Sequence, residues 1–188
     1  KNAEKLIEKI PENIALGLYE CPTPYKRLLT KPMLEWCAST GRFYFLKDTC
    51  CDANLINQRL KIISGSKLKL FNANAQTFLT SLQYGANGYC GVMANFHPEL
   101  YVWLYKNFKK EPEKAEIIGA FISIASFTEY LNYPITAKYH LSELEGLKMD
   151  LYSRVLDFKK FSDYDRLVIN QMKLLCDWIK EYIYKTNE

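Results

Sequence analysis

Short apolar runs of strand length recur along the first 110 residues at intervals of roughly 20–30 positions. Between them lie stretches whose apolar residues return every three or four places, the period of a half-buried helix. Residues 1–10 read as the end of an amphipathic helix, with Leu6, Ile7 and Ile10 on one face and Pro11 stopping it. Strands are predicted at 14–20, 42–47, 67–72 and 88–93. Thr30 and Pro32 open a helix that runs through Trp36 and is closed by Gly41. Asp52 caps a second helix that reaches Ile63 before Gly65, and Asn74 caps a third that ends near Tyr84 and Gly85. From His97 onward the pattern is helical, at 97–109, 112–131, 136–146, 148–158 and 163–185, punctuated by Tyr133-Pro134 and Gly146.

Buried strands separated by single helices specify an α/β fold with a parallel sheet and right-handed crossovers. Four such units make half of an eight-stranded barrel or a small doubly wound sheet. No G-x-G-x-x-G follows a strand and no phosphate-binding G-x-x-x-x-G-K-[ST] occurs, which moves the reading to the TIM (β/α)8 barrel. The expectation is that residues 1–110 carry about the last four strand–helix units, and 111–188 a C-terminal helical extension.

Composition narrows the partners. An apolar fraction of 48% with 14% aromatics excludes a disordered chain. A net charge of +4, spread without a basic block, argues against nucleic acid and anionic membrane. No apolar run reaches membrane-spanning length and no signal-peptide pattern precedes the first helix; the expected location, from the reduced thiols, is cytoplasmic. The cysteines stand at 21, 37, 50, 51, 90 and 176 without a C-x-x-C, and the two histidines, His97 and His140, show no zinc spacing. Reduced thiols used as small core residues are expected, with no metal.

In a parallel barrel the chemistry sits at the carboxyl ends of the strands. Lys47 ends the 42–47 strand, and by alternation Phe45 and Phe43 share its face. Tyr19 holds the same place one strand earlier, above Ala15 and Gly17, while Ile14, Leu16 and Leu18 face the helices. An amine among apolar neighbours loses solvation of its charged form, and a neutral lysine attacks ketones to give an imine. A nearby tyrosine relays the protons. The plain alternative is a lysine snorkelling from a strand end and a tyrosine filling the core.

Four motifs bear on that choice. Gly17-Leu-Tyr19-Glu-Cys-Pro22 is followed by Leu46-Lys47-Asp48-Thr49; then come Gly85-Ala-Asn-Gly88 with Met93-Ala-Asn95-Phe-His-Pro98, and Pro134-Ile-Thr-Ala-Lys138 with Gly146. In this order they resemble the C-terminal half of the dihydrodipicolinate synthase/N-acetylneuraminate lyase family of pyruvate-dependent class I aldolases. There a Tyr-x-x-Pro ends the fifth strand and a Lys-Asp-[Ser/Thr] ends the sixth. The resemblance implies a Schiff-base lyase or aldolase that makes or cleaves a C–C bond with pyruvate or a related 2-keto acid. Lys47 would form the Schiff base, Tyr19 would relay protons, and Cys90 would place its backbone carbonyl near the imine. No cofactor is implied, because the lysine is the electron sink. A homo-oligomer, dimer or tetramer, is implied once the barrel is complete. A 2-keto acid dehydratase on the same lysine and a non-catalytic half-barrel remnant are the alternatives.

The sequence also departs from the family. Pro24 stands where the synthases carry an arginine for the semialdehyde carboxylate, with Lys26 and Arg27 the nearest basic residues. Asn72-Ala-Asn74 replaces Gly-Asp-Asp, and Gly91 replaces a serine. The second substrate is therefore expected to differ. The family's upstream hydroxyl pair and Gly-x-x-x-Gly-Glu segment have no counterpart here, so the chain reads as beginning in the helix before strand five: a fragment of a longer polypeptide, with a separately encoded half that pairs with another chain and two such halves closing on each other as the alternatives. Alone it is expected to aggregate or fold poorly.

Smaller readings complete the picture. Glu20 is expected to cap nearby backbone, Asp48 and Thr49 to orient the loop after Lys47, and Cys50 and Cys51 to be buried inert thiols. His97 reads as a helix-entry residue, and Tyr101, Trp103, Leu104, Tyr105 and Phe108 as a helix with more than one buried face. In the last helix Leu167, Val168, Met172, Leu175 and Ile179 form the packing face.

Overall fold

The computed structural model describes residues 2–185. The chain divides into two compact units, one ending at Cys90 and the other beginning at Gly91.

The first unit alternates helix and strand: α1 (Asn2–Lys9), β1 (Leu16–Tyr19), α2 (Lys31–Ser39), β2 (Phe43–Asp48), α3 (Ala53–Ile63), β3 (Lys69–Asn72), α4 (Phe78–Gln83) and β4 (Gly88–Tyr89). The strands form one parallel sheet in the order β1-β2-β3-β4. Leu34, Cys37, Phe43, Leu46, Ile56, Ile63, Leu68 and Leu70 make its core, with Leu16 and Leu18 packed against them. Asp52 caps α3 as expected, its Oδ1 accepting from Asn54 N (2.8 Å) and Leu55 N (3.0 Å). Arg42 ties down the end of α1, donating to the carbonyls of Ile7, Ile10 and Pro11. Asn74 does not cap α4. Its Oδ1 closes the turn before that helix by accepting from Thr77 N (3.0 Å) and Thr77 Oγ1 (2.9 Å).

The expected alternation fails at one place. Leu16 pairs with Phe43 but Gly17 pairs with Phe45, so Tyr44 is an extra residue in β2. This bulge reverses the parity below it. Phe43 turns to the helix side, 3% exposed and in ring contact with Trp36, while Phe45 stays on the face of Lys47. On that face Phe45 stacks on Phe71 at 4.7 Å, and glycines flank the pair. A Cβ on Gly17 would meet Phe45 at 3.4 Å, and one on Gly88 would meet the Phe71 ring at 3.1 Å.

The second unit holds α5 (Pro98–Asn107), α6 (Pro112–Ala125), α7 (Ile135–Tyr139) and α8 (Asp163–Tyr184), with a π-helical turn at His140–Leu144. His97 enters α5 without a side-chain cap. The buried face of α8 is Asp165, Ile169, Met172, Cys176, Ile179 and Ile183, a strict 4-3-4-3-4 spacing. Leu167 and Leu175, expected to pack, are each 53% exposed. The helix expected at 148–158 does not form; there Tyr152 O accepts from Lys138 Nζ, and Ser153 Oγ accepts from Val155 N and Leu156 N. The fourth strand is also shorter than expected, because Val92–Asn95 winds into a 3-10 turn.

Candidate active site

The last residue of β1, Tyr19, lies opposite Lys47, one residue before the end of β2. Both side chains leave the face turned away from the core, and Lys47 Nζ lies over the Tyr19 ring, 4.4 Å from its centroid. Cys90 follows β4 and donates its N–H to Asn72 O at 2.8 Å. The three sequence-predicted site residues thus lie at the carboxyl end of one sheet. A hydrogen bond with the Cys21 side chain, then partial burial and the charges of Cys21 and Cys90, raise the Tyr19 pKa above that of an ordinary phenol. The phenol is thus protonated at neutral pH and starts as a donor.

The expected dry pocket is only partly built. Tyr19 keeps 54% of its surface exposed, and Lys47 is half-buried. The apolar floor includes the Phe45–Phe71 stack but not Phe43, which the bulge has turned to the helix side.

On the opposite face, the next residue of each strand enters a buried ion cluster. Glu20 and Asp48 are 3% and 0% exposed, and Arg59 from α3 is 2% exposed. Arg59 Nη2 donates to Glu20 Oε1 (2.7 Å), and Nη1 to Glu20 Oε2 (2.9 Å) and to Asp48 Oδ2. Burial works against the guanidinium's charge, but Glu20 and Asp48 outweigh it and raise the Arg59 pKa. Glu20 does cap backbone, as expected, accepting from Leu29 N (2.7 Å) and Thr49 N (3.2 Å). Asp48 Oδ1 accepts from Cys50 N (2.9 Å) and turns the loop after Lys47. Arg59 itself was not expected. Its signal lies in α3, where it shares the buried face with Ile56 and Ile63: a charge in an apolar stripe demands buried counter-charges.

The cysteines divide. All six are free thiols; Cys37 and Cys176 are core residues as expected, whereas Cys50 and Cys90 are half-buried and Cys21 and Cys51 are exposed, contrary to the expectation of buried thiols. Burial, with Asp48 beside it, pushes the half-buried Cys50 up to about 12. Among the described residues no group of three His, Cys, Asp or Glu side chains is placed to hold a metal ion. A cavity of about 410 Å³ lies at the other end of the strands, beside Lys61, Ser64, Lys69 and Tyr84, and does not include Lys47 or Tyr19.

The model of the dihydrodipicolinate synthetase family matches residues 18–154, a span that contains Tyr19, Lys47 and Cys90. The chain belongs to that family. No curated protein matches it. Among solved structures, dihydrodipicolinate synthase from Thermotoga maritima superposes with a TM-score of 0.78 at 15% identity, covering 94% of this chain and 60% of that one. A prophage protein of E. coli K12 from the dihydrodipicolinic acid synthase family, solved with pyruvate, gives 0.76 at 17% identity, covering 95% and 59%. The sialic acid aldolase of Ruminococcus gnavus gives 0.76 at 18%, covering 90% and 57%, and has also been solved as a catalytic lysine mutant. The chain thus spans about 60% of the length of these structures. As a family member, it carries four strand–helix units of a (β/α)8 barrel. No helix among the described residues is long and apolar enough to cross a membrane.

Proposed function

We propose that the protein is a Schiff-base lyase or aldolase acting on pyruvate or a related 2-keto acid, with Lys47 as the imine-forming amine and Tyr19 as the proton relay. The observation that carries this reading is the amine held 4.4 Å from the phenol ring at the carboxyl ends of adjacent parallel strands. Family membership, a pyruvate-bound relative and a relative with a catalytic lysine support it. The neutral amine adds to the keto carbon, and the Tyr19 hydroxyl protonates the departing oxygen as water leaves and C=N forms. Loss of a proton from the adjacent methyl gives the enamine. Its carbon attacks an aldehyde to form the C–C bond, and water then releases the product and the free lysine. The reverse sequence cleaves the bond. The Cys90 backbone carbonyl faces the imine in this scheme. Residues 1–110 supply the second half of the barrel, 111–188 its helical extension, and the native assembly is a homo-oligomer in the cytoplasm.

The test is exchange of the pyruvate methyl protons in D2O, followed by NMR with the native protein. Wild type is expected to exchange them, Lys47→Ala to show only the solvent rate, and Tyr19→Phe to be slower by about 10²-fold. Exchange that survives Lys47→Ala contradicts the assignment.

A further inference from the structure

We infer that Arg59 is a positioning residue for the Lys47–Tyr19 pair, acting through Glu20 and Asp48; the inference rests on the Schiff-base reading above. Glu20 directly follows Tyr19 and Asp48 directly follows Lys47. Side chains alternate along a strand, so fixing residues 20 and 48 on the helix side fixes the direction in which 19 and 47 leave the other face. One guanidinium does both. Its two terminal nitrogens bond both oxygens of Glu20 and one of Asp48, and Nη2 also donates to Leu29 O (3.3 Å).

The clamp continues into the backbone where the sheet ends. Glu20 N donates to Lys47 O (3.3 Å), and Thr49 Oγ1 donates to Glu20 O (2.7 Å). The two strand ends are therefore joined beyond the Tyr19–Lys47 rung. Stability is a poor reason for this construction. Replacing a buried ion pair or triad by apolar side chains of similar size is often neutral or stabilising. Fixed direction is a sufficient reason, because a planar fork holds two acceptors at set angles and an ammonium does not.

The experiment uses the native protein and its variants Arg59→Lys and Glu20→Gln. Borohydride trapping with pyruvate, run to its endpoint, counts competent sites. Methyl exchange in D2O, measured against pyruvate concentration, then gives the saturating rate per competent site and the half-saturating concentration. Arg59→Lys is expected to lower the rate per competent site by about 10–100-fold, the scale of a misplacement near 1 Å, with half-saturation unchanged. Glu20→Gln is expected to show the same pattern more weakly, and it carries the test if Arg59→Lys does not fold. A merely structural Arg59 would lower the melting temperature and the number of competent sites while leaving the rate per site intact. That result overturns the inference, as does a change confined to half-saturation. A wild type that yields neither adduct nor exchange removes the Schiff-base reading and this inference together.

Discussion

His97 is wholly buried, and neither ring nitrogen has a hydrogen-bond partner among the described residues. Its ring lies parallel to Tyr101 at 5.7 Å and contacts Phe121 at 5.4 Å. Burial, then the charges of His140 and Lys180, lower its pKa to about 3. In the unfolded chain the ring titrates near ~6.5. Between these values the unfolded state binds the extra proton, so stability rises with pH across the window and is lost as pH falls from about 6.5 toward about 3. Each pH unit below ~6.5 removes ~1.4 kcal/mol, so at pH 5 this ring alone has taken away ~2 kcal/mol. His140, also lowered by burial, adds to the same slope. The perturbation that isolates His97 is His97→Phe. It deletes two orphaned polar atoms, worth ~1–3 kcal/mol, against a similar cost of ~1–3 kcal/mol for the added ring volume, and sacrifices no hydrogen bond. Urea unfolding at pH 7.5 and pH 5.0 reads the difference. Wild type should lose ~2 kcal/mol more than His97→Phe over that interval. Equal losses in the two proteins would refute the reasoning.

Gly88 has φ +153° and a virtual Cβ 3.1 Å from the Phe71 ring, whereas Gly17 has ordinary contact space. Gly88→Ala should therefore cost ~1–3 kcal/mol in denaturant unfolding and clearly exceed Gly17→Ala. Asp52→Ala frees two amides of α3 and should cost ~1 kcal/mol, with Asp52→Asn restoring most of it. Iodoacetamide at neutral pH, followed by peptide mass spectrometry, should label exposed Cys51 early. The buried Cys37 and Cys176, and Cys50 with its pKa near 12, should lag behind. Equal labelling of Cys50 and Cys51 would contradict the described loop.

The strand–helix order and the Tyr19–Lys47 juxtaposition were legible because they depend only on hydrophobic period and on both residues ending apolar runs. The Tyr44 bulge was not, because an inserted strand residue leaves no mark on composition; it misplaced Phe43. At 148–158 the apolar spacing mimics a helix, but Tyr152 O accepts from Lys138 Nζ, and Ser153 Oγ accepts from Val155 N and Leu156 N, in place of a helical ladder. In α8 several apolar residues compete for the inner face, and Leu167 and Leu175 lost to Ile169 and Cys176. The partners of Arg59 were beyond reach, since Glu20 lies 39 positions away and only the fold joins them.

In the proposed reaction the Lys47 amine captures a keto carbon. Borohydride reduction of the native protein with pyruvate, followed by peptide mapping, measures it directly. One reduced adduct is expected, on Lys47, absent from Lys47→Ala. Folded native protein that carries no adduct, or carries it on another lysine, would contradict the account.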